Sequence, residues 1–188
     1  MTRIILASGS PRRRELLGEL GIEPIVRPAD VDETPRAGES PETLVARLAQ
    51  AKATAVDADA TDLVIAADTV VAVGGDILGK PDDETHAASM LRRLSGTTHR
   101  VITGVHVRRG DVERNAVETT SITFRGLTDR EIADYVATGE PMDKAGAFAI
   151  QGLAADFVMA IDGSHSNVVG LSLDVVVALA ADLGVALG

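Results

Sequence analysis

The chain has 188 residues, 45% of them hydrophobic, no cysteine, and a formal charge of −10 at neutral pH. That length suits a single domain, 1–188, able to bury roughly 70% of its unfolded surface, and the missing cysteines exclude disulfides, thiolate nucleophiles and Cys-based zinc sites. An acidic balance with three Phe, one Tyr and no Trp argues against binding nucleic acid polymers, and no run resembles a signal peptide or membrane span, so a soluble cytoplasmic protein is expected.

The opening run Ile4-Ile5-Leu6-Ala7-Ser8-Gly9-Ser10-Pro11-Arg12-Arg13 reads as strand, tight loop and helix. Ser10 suits an N-cap and Pro11 the first helical position, with Leu16, Leu17 and Leu20 on one face and Gly21 as the stop. Arg12 and Arg13 then crowd the positive end of the helix, where cations are disfavoured. Free backbone N–H groups, the Ser8 and Ser10 hydroxyls and guanidinium forks at one point suit a phosphate or another multivalent oxyanion. The plainer alternative is a solvated basic first turn.

Residues 22–26 read as a second strand. The acidic loop Asp30-Val31-Asp32-Glu33 follows, either simply solvated or holding a hard divalent cation. Ser40-Pro41 opens a helix to about Val56, in which Leu44, Leu48 and Lys52 share one i, i+4 row. A lysine ending an apolar row either snorkels to the edge or reaches into a site. Of the 18 basic residues only Lys52, Lys80 and Lys144 are lysines.

Residues 63–73 are too continuously apolar for a half-exposed strand and predict a central one. Asp68 interrupts them, which is costly unless a metal, a lysine or a donor network satisfies it, or unless the strand ends at Ala67 and Asp68 caps a turn. Next, Gly74 to Lys80 has the spacing of a P-loop, but Pro81 stands where Ser or Thr must ligate magnesium. Gly74-Gly75-Asp76 reads better as a hairpin turn whose returning strand delivers Lys80.

Residues 82–94 predict an amphipathic helix. From His99 an alternating pattern through Val101, Thr103, Val105 and Val107 turns at Arg109-Gly110-Asp111 and returns to Phe124, a long hairpin. Thr128-x-x-Glu131 is a capping box opening a helix closed by Gly139. Residues 141–152, with Lys144 and Gln151, read as loop then strand, with Gln151 an edge residue. A strand at 157–161, a loop at 163–171 and a helix at 173–183 complete the chain. Asn167 either contacts a ligand or turns its loop. His86, His99, His106 and His165 lack paired metal-ligand spacing and read as surface or loop residues.

The residues alone suit phosphoanhydride hydrolysis. A divalent ion on Glu33 and Asp68 would neutralise a polyphosphate and acidify a bound water, while Arg12, Arg13, Lys52 and Lys80 steady the leaving group. Asp68 could instead take the water's proton itself.

The strings Ser8-x-Ser10-Pro11-Arg12-Arg13, Ala66-Ala67-Asp68-Thr69-Val70-Val71, Gly79-Lys80-Pro81, Asp143-Lys144-Ala145-Gly146 and Ile150-Gln151-Gly152 resemble, in order, the motifs of the Maf family of nucleoside triphosphate pyrophosphatases. The resemblance implies an α/β fold, a mixed twisted sheet flanked by helices with two lobes around a cleft, of the Maf and inosine-triphosphatase type. It implies a hydrolase that cuts between the α and β phosphates, with Mg²⁺ or a similar ion such as Mn²⁺ or Co²⁺. Asp68 would be the general base, Glu33 and Lys52 functional, Lys80 a phosphate contact, and Lys144 and Gln151 part of the cleft. Arg12, Thr69 and Gln151 match the branch acting on dTTP and UTP, and Asn167 falls in a further family-like loop. A homodimer and a link to septum formation are also implied. Ser172, Met142 and His165 depart from residues common in the family. The rival readings are a nucleotide-binding regulator of cell division, a P-loop switch and an adhesion ligand using the Arg-Gly-Asp tip.

Overall fold

The computed structural model describes residues 2–187, which form a mixed α/β fold. Strand β1 (Ile4–Leu6), helix α1 (Pro11–Glu19), the two-residue strand β2 (Ile25–Val26), helix α2 (Pro41–Ala55) and strand β3 (Leu63–Val73) come first. Strand β4 (Asp76–Leu78), helix α3 (Glu84–Leu94) and the paired strands β5 (Thr98–Arg109) and β6 (Val112–Phe124) follow. Helix α4 (Asp129–Val136), three short 3₁₀ turns, strand β7 (Val158–Asp162), helix α5 (His165–Val169) and helix α6 (Leu173–Asp182) end the chain.

The seven strands run in the order β2-β1-β3-β5-β6-β7, with β4 paired on β3. β1 pairs parallel with both β2 and β3, Ile5 facing Ile25 and Val64, while β4 on β3 and β7 on β6 are antiparallel. The sheet is therefore mixed. By contacts the described residues divide into two compact units, and the chain passes from one to the other within β3, β5 and β6. The first unit holds residues up to Thr69, Thr103–Glu118 and Gly170 onward, and the second holds Val70–Ile102 and Thr119–Val169.

In the first unit, β1, β3 and α2 bury Ile5, Ala7, Ala53, Val56, Val64 and Ala66 together. Residues 101–107 of β5 are buried on both faces, beyond what the alternation predicted. Gly104 shows why in this unit: a Cβ there would fall inside the contact surface of the Val45 carbonyl of α2, so only glycine lets helix and strand come this close. The Arg-Gly-Asp tip also has a structural use, because the Arg109 guanidinium donates to the Leu183 carbonyl at the end of α6 at 3.1 Å.

In the second unit, the chain's three Phe and its one Tyr, at 124, 148, 157 and 135, are all buried, in edge-to-face contacts that also enclose His99. Gly74 and Gly75, both at positive φ, make the hairpin turn, and no helix begins until Glu84, so Lys80 has no P-loop around it. Both halves of the Thr128 and Glu131 capping box form.

Four expectations are corrected. The second strand shrinks to Ile25–Val26, because residues 22–24 make no ladder with β1. Residues 145–157 contain 3₁₀ turns in place of a strand, with Gly146 left-handed and packed on Val71. Helix α5 interrupts the expected loop at 163–171. His99 and His106 are buried: His99 shares its parity with the inward Val101 and Val105, and His106 lies on the face of β5 that carries Gly104.

Candidate active site

Lys52 is the centre of the geometry. It sits one turn past Leu48 on the buried row of α2, which carries its stem inward and leaves the ammonium at the row's end. Its Nζ lies 2.6 Å from Asp68 Oδ1 and 2.6 Å from Glu33 Oε1. Asp68 is inside β3 and not at its end, so the turn-cap reading falls away. The acidic loop, the second helix and the central strand thus meet at one cation.

The two carboxylates differ in surroundings. The Asp68 side chain is 10% exposed and that of Glu33 56%. Burial pushes the Asp68 carboxyl above the ordinary carboxylate range, Lys52 and Arg13 oppose the rise, and Glu33 adds to it. A carboxyl so raised, yet held as a carboxylate by an ammonium, suits a general base near neutral pH. The loop that carries Glu33 is shaped locally, with Asp32 accepting from the Thr34 N–H at 2.9 Å and Arg47 of α2 donating to the Thr34 carbonyl.

Ser10 is at the N-cap of α1, but its side chain makes no capping bond. Instead the Ser8 hydroxyl accepts from the Ser10 N–H at 3.2 Å and from Arg13 Nη1 at 3.1 Å. Arg12, half-buried, and the buried Arg13 occupy the first turn as predicted. Desolvation lowers the Arg13 pKa, while the charges of Asp68 and Glu33 hold it up. Ser8, Arg12, Arg13, Glu33, Lys52, Asp68 and Thr69 all belong to the first unit.

Lys80, Lys144, Gln151 and Asn167 belong to the second unit. The Gly146 N–H donates to the Gly79 carbonyl at 3.0 Å, which ties the segment of Lys144 to that of Lys80. Lys80 and Gln151 are exposed, and Lys144 Nζ donates to the Glu140 carbonyl at 2.7 Å and to Asp143. The Asn167 amide is fully buried and donates to the Val101 carbonyl and to Thr120 Oγ1, so it anchors its own segment.

The donor set suits a hard divalent ion. Among the described residues no three His, Asp or Glu side chains gather as a metal cage. Glu33 and Asp68 already flank one positive group, and a pair of carboxylate oxygens completed by phosphate and water is how Mg²⁺ is usually held.

The family model described as Maf-like protein matches residues 3–183. The chain belongs to the Maf family. A relative from Anaeromyxobacter dehalogenans named dTTP/UTP pyrophosphatase is 55% identical over 91% of this chain and 89% of its own. One of the same name from Myxococcus xanthus is 51% identical over 99% of this chain and 95% of its own. A solved dITP/XTP pyrophosphatase from Mycobacterium abscessus is similar at 14% identity, with a TM-score of 0.46 over 96% of this chain and 95% of that one. Among the described residues of this Maf protein, no helix is long and apolar enough to cross a membrane.

Proposed function

We propose that this Maf protein hydrolyses dTTP and UTP between the α and β phosphates, releasing the monophosphate and pyrophosphate. The observation that carries the reading is the buried Asp68 held by Lys52 opposite Glu33, beside a helix start with two arginines. The relatives named dTTP/UTP pyrophosphatase support the choice of substrate.

Asp68 accepts the proton of the water that attacks the α phosphorus, and the P–O bond to the β phosphate breaks as pyrophosphate leaves. Arg12, the N–H groups of the first turn of α1 and the Ser8 O–H bind anionic oxygens. Lys52 offsets the charge that grows on the leaving group. A divalent ion held by Glu33 and Asp68 would supply Lewis-acid neutralisation of the triphosphate.

Arg12, Thr69 and Gln151 are the residues that match the pyrimidine branch. A carboxamide such as Gln151 has both an acceptor for a pyrimidine N3–H and a donor for its O4. Lys80→Ala and Gln151→Glu test the contacts that the resemblance implies. The first is expected to raise KM for every nucleotide, the second to cost more with UTP than with GTP.

The decisive assay is UTP and dTTP with Mg²⁺, products read by phosphorus NMR, for the wild type and Asp68→Asn. Monophosphate and pyrophosphate from the first and near-background turnover from the second are expected. A tight-binding chain with no turnover would instead fit a nucleotide-responsive regulator. The proposed setting is a cytoplasmic homodimer engaged in nucleotide-pool control.

A further inference from the structure

The buried Arg13 guanidinium spends its hydrogen bonds on uncharged oxygens of three different segments. Nε donates to the Gly170 carbonyl at 2.8 Å, Nη1 to Ser8 Oγ at 3.1 Å and Nη2 to Thr69 Oγ1 at 3.2 Å. A buried guanidinium ordinarily takes a carboxylate in its fork. Here Asp68 and Glu33 act on it only through their fields. The side chain is therefore used as a bracket: it joins the loop before α1, the residue directly after Asp68 and the entry to α6.

Counting donors and acceptors shows what the bracket fixes. A hydroxyl has one proton to give and two lone pairs. Ser8 Oγ receives both the Ser10 N–H and Arg13 Nη1, so its acceptor side is full and only its proton is left to offer. Thr69 Oγ1 receives Arg13 Nη2 and lies 3.3 Å from the Gly170 carbonyl and 3.0 Å from Thr103 Oγ1. Giving its proton to Gly170 and accepting from Thr103 saturates it. Gly170, at φ 127°, presents one carbonyl to both Arg13 and Thr69, a backbone conformation that other residues rarely adopt.

We infer that Arg13 is a positioning residue and not a phosphate ligand: through Thr69 it fixes the strand position of Asp68, and through Ser8 it turns a hydroxyl into a pure donor. The inference rests on the pyrophosphatase reading above. It divides the two arginines of the first turn, leaving Arg12 as the one that meets the anion.

The test compares Ser8→Ala, Arg13→Lys, Thr69→Val, Thr69→Ser and the double variant Arg13→Lys with Thr69→Val. The full chain is assayed with UTP and Mg²⁺ for kcat, KM and the inhibition constant of pyrophosphate. Arg13→Lys and Thr69→Val should each lower kcat about 10- to 100-fold, the scale of a catalytic group displaced by about 1 Å. KM and the pyrophosphate constant should stay within about threefold of wild type in Thr69→Val and within about threefold of Ser8→Ala in Arg13→Lys, and the double variant should have a kcat no worse than the poorer single, since both break the link between Arg13 and Thr69. Thr69→Ser keeps the hydroxyl and should recover most of the kcat that Thr69→Val loses.

A rise in the pyrophosphate constant for Arg13→Lys about tenfold or more beyond that of Ser8→Ala would overturn the inference, because loss of the Ser8 donor could not account for it and a direct phosphate contact would. Losses that multiply in the double variant, or a Thr69→Ser no better than Thr69→Val, would overturn it as well. If Arg13→Lys fails to fold, the Thr69 pair alone decides. A wild-type chain without turnover defeats both this inference and the function it rests on, whereas an active wild type with multiplying losses defeats this one alone.

Discussion

Lys52 shows how one side chain can hold two carboxylates of unequal character. Asp68 is buried and pushed up in pKa by that burial, and the ammonium beside it pulls the value back down. The base form of Asp68 is the one that accepts a proton, so kcat/KM should fall as pH drops through a limb above the ordinary carboxylate value of 3.8. Lys52→Met removes the group that lowers the pKa, and the limb should then move to higher pH. A limb that stays in place in a pH series of Lys52→Met would separate Asp68 from the acid limb. Asp68→Asn keeps the shape but has no basic oxygen, and should lose about 10²- to 10⁴-fold in kcat while still binding nucleotide in equilibrium titration.

The residue-level reading from sequence went furthest where a chemical cost was visible. A carboxylate in an apolar strand demanded a partner, a lysine on an apolar row had either to snorkel or to reach into a site, and the two prove to be each other's partner. Arg13 gave no such sign, because the motif that holds Arg12 and Arg13 does not say which guanidinium turns inward. That distinction depends on Gly170, 157 residues further along.

At the scale of elements, β5 teaches the most. Alternation marked one buried face, and α2 covers the other through the contact of Gly104 with Val45, which no local pattern announces. Gly104→Ala should destabilise the fold by about 1 to 3 kcal/mol, since the obstacle is backbone and does not swing aside. Urea denaturation measures it, and an unchanged midpoint would contradict the packing.

His99 on the same strand is enclosed by Phe124 at 4.7 Å and Phe148 at 5.5 Å, centroid to centroid, and neither ring nitrogen has a hydrogen-bond partner among the described residues. Burial lowers its pKa from 6.5 to about 4. The unfolded chain therefore takes the proton first as pH falls, so His99 withdraws stability between pH 6.5 and about 4, and the loss levels off below that. The upper bound is about 3 kcal/mol, from 1.36 kcal/mol per pH unit. His99→Leu should flatten that part of the stability profile, as denaturant unfolding at several pH values would show. An unaltered slope would place the titration elsewhere.

Across the whole molecule, the order of strands and helices was largely legible because several junctions carried their own punctuation: Ser10-Pro11, Ser40-Pro41, the Gly74-Gly75 turn and the Thr128 capping box. The segment from 141 to 157 was not, since its shape depends on Gly146 packing against Val71, far earlier in the chain, and on one carboxylate, Glu140, accepting from both Tyr135 and Leu153, which no local periodicity marks. The division of the chain into two units, entered and left within single strands, likewise has no linker composition to betray it.

The claim that binds these scales is that the Asp68 and Lys52 pair serves the breaking of one particular anhydride bond. Turnover of UTP in ¹⁸O-labelled water with Mg²⁺ reads that bond directly. The account predicts unlabelled pyrophosphate and UMP carrying the label on its phosphate, with Asp68→Asn releasing neither above background. Labelled inorganic phosphate with UDP, or label in the pyrophosphate, would contradict it.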